Sequence, residues 1–156
     1  MSEERSVELT LQQVDGYEFR IRFDGTALPE LTTDEAAPLG HDAGPNPAQL
    51  VLAAVANCLS ASLLFALRKF RNAPGRLSAK AHAHIARNEH GRWRIGRMEI
   101  DIALPDAAAS LRDLDRVLVQ FEDFCIVTQS VRAGIPVAVR VRDGGGELLH
   151  STTAGA

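Results

Sequence analysis

The sequence predicts an α+β domain in which antiparallel sheets surround one long, buried central helix. Three observations carry this. Runs near residues 7–14, 17–23, 77–85, 98–104 and 135–141 alternate apolar with polar residues, the period-2 signature of half-buried strands. Leu50 to Leu67 holds no charge at all. Leu111, Leu114, Leu118, Phe121 and Cys125 recur at spacings of three and four, the signature of an amphipathic helix.

The elements follow in order. Val7, Leu9 and Leu11 alternate with Glu8, Thr10 and Gln12, and Tyr17, Phe19, Ile21 and Phe23 alternate with Glu18, Arg20 and Arg22. Asp15-Gly16 between them is a tight-turn signal, so the pair reads as a hairpin with one buried face. Thr32 to Pro45 is polar and broken by Pro38, Gly40 and Gly44, and reads as a mobile loop. Asn46-Pro47 then opens a helix, with Asn as cap and Pro at the first helical position. It runs to about Arg71, where Pro74-Gly75 stops it. Such a rod is roughly 37 Å long. It is apolar nearly all round, more than one small domain can enclose, and Ala53, Ala54, Ala56, Ala61 and Ser62 suit close approach of a partner subunit.

Leu77 to Ile85 is the next strand. Trp93 and Ile95 share one parity while Met98, Ile100, Ile102 and Leu104 share the other, so a bulge is expected near Gly96. A second helix starts at Asp106 and carries its stripe toward Cys125, with 125–132 helical after a break. Ile135 to Val141 is a last strand. The whole reads as a single domain, 1–156, with an ordered core over about 7–143 and a flexible Gly-rich tail over 144–156.

Composition narrows the function. With 17 Lys and Arg against 20 Asp and Glu, the chain is mildly acidic, and no basic field suits nucleic acid or anionic lipid. The uncharged stretch reaches the length of a membrane span. Asn57, Cys58, Ser60 and Ser62 interrupt it, however, and its flanks read as soluble strands. Met1 to Thr10 is polar and charged and lacks a signal-peptide pattern. The expectation is a cytoplasmic protein that binds neither membrane nor nucleic acid and needs no cofactor or metal.

The chemistry rests on two thiols. Cys58 lies within the long helix and Cys125 ends the second stripe, too far apart in sequence for a CxxC motif or zinc knuckle. In a reducing compartment, a disulfide between two core-facing cysteines is transient and catalytic. Alone, each would be an inert small hydrophobe. Cys58 lies too far from its helix N-terminus to be acidified there, and burial opposes ionisation. A cation must therefore activate it, and Arg20 and Arg22 are the candidates.

Other residues read more plainly. His82 and His84 form an H-x-H pair, but Lys80 on the same strand face indicates solvent rather than a metal. His41 falls in the polar loop. Thr128 and Gln129 lie one turn beyond Cys125, where they line a pocket or satisfy local backbone groups. Gly144 to Gly146 opens no helix and is a poor phosphate loop.

The segment GPNPAQLVLAAVANCLSASL, Gly44 to Leu63, resembles the OsmC/Ohr family of osmotically inducible and organic-hydroperoxide-resistance proteins. There, a Pro-led central helix carries the reactive cysteine. FCIVTQSVRAGIPVAVRV, Phe124 to Val141, is similar to that family's second-cysteine segment and final strand. The resemblance implies an OsmC-like fold and an intertwined homodimer with sites at the interface. It implies Cys58 as the peroxide-attacking thiol, Cys125 as the resolving thiol, organic hydroperoxides as substrate and a dithiol reductant such as a lipoyl group. The pattern departs at three places. Ala48 stands where Glu commonly follows the NP pair, Val14-Asp15-Gly16 lacks the hairpin Arg that this Glu holds, and Ile126 replaces a frequent Pro. Losing both members of an ion pair is self-consistent, since either alone is a poorly compensated buried charge. The departures motivate the alternative of a non-peroxidase dimer that binds an apolar small molecule.

Overall fold

Asp15 and Glu18 pair across a two-residue turn, and around it the first of two compact units, Met1–Leu50, is organised. Residues 4–153 are described by a computed structural model. β1 (Leu9–Asp15), β2 (Glu18–Phe23) and β3 (Leu31–Thr33) form an antiparallel sheet in that order. Gly16 takes φ 51°, a left-handed conformation that the turn needs and glycine adopts without penalty. Leu9 faces Phe23 and Leu11 faces Ile21, so the predicted apolar face exists. Its burial is uneven: Ile21 is 8% exposed, but Leu11 is 51% and Leu9 53% exposed. The expectation of one buried face therefore holds for β2 and fails for β1, which is exposed along its whole length.

The loop after β3 is not slack. Asp34 is buried and accepts backbone N–H groups from Glu35 at 2.8 Å, His41 at 2.8 Å and Ala43 at 3.2 Å. A Cβ on Gly40 would fall 2.2 Å from the Glu35 carbonyl oxygen and 2.3 Å from Asp34 Oδ1, so this close packing requires glycine. A polar, Gly/Pro-rich composition suggested mobility; one buried carboxylate collecting three backbone donors supplies order instead.

α1 (Pro47–Lys69) opens with a reciprocal cap. Gln49 N–H donates to Asn46 Oδ1 at 2.9 Å, and Asn46 N–H donates to Gln49 Oε1 at 2.8 Å. At the far end Arg71 turns left-handed at φ 59°. By length and composition α1 could cross a membrane, yet Val55, Leu59, Leu63, Ala66 and Leu67 are fully buried in the protein core.

The second unit, Val51–Ala156, holds a four-stranded sheet of β4 (Ser78–Arg87), β5 (Trp93–Ala103), β6 (Val137–Arg142) and β7 (Leu148–Thr152), in that order. The predicted bulge is present: His84 pairs with Arg97 and Ile85 with Ile95, leaving Gly96 as the extra residue. β5 and β6 run parallel, so this sheet is mixed rather than wholly antiparallel. The crossover between them contains α2 (Leu114–Gln120) and α3 (Ile126–Val131). Met98, Ile100 and Ile102 of β5 and Val137, Val139 and Val141 of β6 pack with the buried stripe of α1 and with Val117 and Phe121.

Two expectations need correction here. The second helix does not run unbroken from Asp106 to Cys125. A short 3-10 turn covers Ala108–Ser110, Asp113 sits at φ 50°, and a 3-10 turn over Phe121–Phe124 separates α2 from α3. The apolar spacing survives these breaks because the residues still point into one core. Nor is the stretch expected as a flexible tail, 144–156, loose over its described part; 154–156 lie outside the described residues. Buried Asp143 receives the N–H groups of Gly145 and Glu147, each at 2.9 Å, and Gly146 takes φ 86°. The chain thus reverses, and β7 pairs with β6.

Candidate active site

α1 and the α2–α3 connection bring the two thiols into one cluster. Cys58 sits beside the buried Val55–Leu59 stripe and is half-buried, packed against the core; Cys125 is fully buried within it. Both are free and belong to the same packed cluster. Cys125 is not on a helical face. It occupies the N-cap of α3, in extended backbone geometry, and its sulfur accepts the Thr128 N–H at 3.3 Å. Its S–H donates to Thr128 Oγ1 at 2.9 Å. Thr128, fully buried, therefore holds the Cys125 thiol.

Burial is the main influence that pushes the Cys125 thiol above its ordinary pKa, and the neighbouring Cys58 thiol adds to the rise; the two Thr128 contacts oppose it and are outweighed. Cys125 thus keeps its proton. No guanidinium is among these leading influences. Of the cations named from the sequence, Arg22 Nε donates to Asp24 Oδ1 at 3.0 Å, and Arg20 is exposed on β2.

The polar network under the Cys125 turn was not legible in the sequence. Glu122 is buried, and its carboxylate takes His150 Nε2 at 2.7 Å, the Thr152 hydroxyl at 3.1 Å and a hydrogen bond from Arg132. Its own carbonyl accepts the Cys125 N–H at 3.1 Å. Burial pushes the Glu122 carboxyl up, but the hydrogen bonds from His150 and Arg132 more than offset this and hold it below the usual carboxylate range. One buried carboxylate thereby ties α3 and β7 to the turn that presents Cys125. The separation of 28 positions between Glu122 and His150 left no local signal for it.

The remaining candidates lie elsewhere. His41 is exposed and gives only its backbone N–H, to Asp34. Gln129 Nε2 reaches the Glu122 carbonyl at 3.5 Å, a local backbone contact. Gly144 packs its backbone against the Pro105 carbonyl, and Gly144 to Gly146 leads into β7.

A family profile described as OsmC-like protein matches residues 40–140. No curated protein sequence matches significantly. Among solved structures, the chain is similar to an organic hydroperoxide resistance protein from Elizabethkingia anophelis, with a TM-score of 0.71 at 19% identity, covering 92% of this chain and 99% of that one. It is similar to an OsmC-like protein from Mycoplasma pneumoniae, with a TM-score of 0.71 at 14% identity, covering 90% and 99%. The organic hydroperoxide resistance protein OhrB of Bacillus subtilis gives a TM-score of 0.65 at 18% identity, covering 88% and 98%.

Proposed function

The chain belongs to the OsmC-like protein family, and from that premise we propose that it is a thiol peroxidase that reduces organic hydroperoxides. The observation that carries this reading is the pairing of a half-buried, reachable thiol at Cys58 with a sealed, proton-bearing thiol at Cys125. The names of two structural neighbours, both organic hydroperoxide resistance proteins, support the choice of substrate.

In this reading the Cys58 thiolate attacks one peroxide oxygen. The O–O bond breaks, ROH leaves after taking up a proton, and Cys58 becomes a sulfenic acid. The Cys125 sulfur then displaces the sulfenic oxygen as water, and a Cys58–Cys125 disulfide forms. An external dithiol, such as a lipoyl group, reduces it by exchange and leaves as its own disulfide. The cycle needs a reducing compartment such as the cytoplasm.

The acting species is a homodimer. Val51, Ala54, Ala61 and Phe65 form a stripe of α1 beside Cys58 that this chain leaves exposed, and Phe65 stacks edge-on against exposed Phe124. A second copy over this stripe would roof Cys58 with apolar surface suited to an organic peroxide.

Intact mass after one equivalent of cumene hydroperoxide tests the cycle. The expected product has lost about two hydrogens; Cys125→Ser instead gains an oxygen and stalls. A Cys58→Ser protein that consumes the peroxide at the wild-type rate would falsify the reading.

A second reading, an apolar small-molecule binder without redox turnover, draws on the electrostatics: Arg22 is engaged by Asp24 and Arg132 by Glu122. An unchanged free-thiol count after peroxide, together with a co-purified apolar ligand, would favour it.

A further inference from the structure

The four-stranded sheet has a face directed away from the core, and it gathers two imidazoles and a carboxylate. β4 turns Ala81 and Ala83 toward the core and His82 and His84 to the other side. His82 lies directly across from Glu99 on β5. The two imidazole rings are 4.1 Å apart and tilted by 36°. His84 Nε2 lies 3.4 Å from Glu99 Oε1, and one donor atom from each of the three residues lies within 4.8 Å of the others.

The nitrogen at the centre of this group is the informative atom. His84 Nε2 is sealed from solvent yet makes no hydrogen bond. A buried polar atom left without a partner is unfavourable. This sealed nitrogen and the Glu99 carboxylate oxygen face each other at 3.4 Å without a hydrogen bond.

We propose that His82, His84 and Glu99 bind a divalent transition-metal ion of the zinc class, with water completing its coordination. Two imidazole nitrogens and one carboxylate oxygen suit Zn(II), Ni(II) or Cu(II) far better than Mg(II) or Ca(II). Donors sharing one tetrahedral ion lie roughly 3.3 Å apart, given bonds of about 2 Å. The His84–Glu99 separation already meets this, and the exposed His82 ring on an edge strand can turn to close the rest.

Neighbouring cations set the affinity. Arg97 Nε donates to Glu99 Oε1 at 3.3 Å and competes directly with the ion. Arg140 Nη2 is 3.9 Å from Glu99 Oε2 but is anchored by two hydrogen bonds to Asp101. Lys80 is exposed on the same strand face.

The cysteines are the other metal-seeking groups, and they belong to the opposite, core side of this sheet. The test therefore uses the full chain carrying Cys58→Ser and Cys125→Ser, titrated with Zn(II) by calorimetry and with Co(II) by visible absorption. One equivalent per chain is expected. His82→Ala and His84→Ala should each weaken binding at least about tenfold, and Arg97→Ala should tighten it, with circular dichroism unchanged in all three. The proposal is overturned if the double-serine protein binds neither ion, or if binding survives both alanine substitutions unaltered. The thiol chemistry stands or falls separately.

Discussion

The two sheets carry the same alternating code and meet different fates. In the four-stranded sheet, Met98, Ile100, Val137 and Val139 are at most 1% exposed, because α1 and the crossover helices lie over them. In the three-stranded sheet, exposure climbs from Ile21 at 8% to Leu11 at 51% along one continuous apolar face. Alternation states that a strand has a face to cover; it does not state whose atoms do the covering. The proposed dimer would supply those atoms from a second chain.

Substitutions test that contrast. Phe121→Ala, within the covered core, should cost about 3 to 5 kcal/mol in urea unfolding. A loss as small as that of a surface residue would mean that the second unit is less tightly packed than its burial implies. Glu122→Ala should cost about 3 kcal/mol, because it strands Arg132 and His150 around an empty site. It should also speed alkylation of Cys125 by an added thiol reagent, since the turn that presents this residue loses its anchor.

Acid should weaken both units. Asp34 in the first and Glu122 in the second have carboxyls held below their ordinary values, by the His41 N–H foremost for Asp34 and by His150 and Arg132 against burial for Glu122. Groups with depressed folded-state pKa values stabilise fully above the unfolded value of about 4 and lose that contribution as pH falls through the folded one. The urea midpoint should therefore drop below about pH 4, and Glu122→Gln should flatten the drop. An unchanged slope in that variant would remove Glu122 from the account.

Leu11→Ala gives the smallest effect on an isolated chain, within about 0.5 kcal/mol. In the proposed dimer the same change should lower stability more and make it depend on protein concentration. Sedimentation of Leu11→Asp reads this directly: a shift toward monomer is expected, and an unaltered mass would leave the exposed face of β1 unexplained.

Much of the architecture was written in local pattern. The hairpin, the Asn46-Pro47 helix start and the bulge at Gly96 each depend on a few adjacent residues, and those residues announce them. The two thiols were visible as a pair because cysteine is rare in this chain. What stayed hidden depends on distant partners. Asp34 and Asp143 order segments whose composition looked slack, since a single carboxylate collecting backbone donors has no periodicity. The spacing of Leu111 to Cys125 implied one helix because a broken helix can aim the same residues at one core. The Glu122 network required β7, which the glycines before it concealed.

The sulfur of Cys125 doubles as the cap of α3. A capping atom that can be alkylated or oxidised makes the first turn of a helix answer to chemistry. Once that sulfur is modified, the Thr128 hydroxyl loses its donor and the Thr128 amide loses much of its acceptor. Deuterium uptake at that one amide would then track the fate of the thiol, so the fold carries its own reporter of whether the site has reacted.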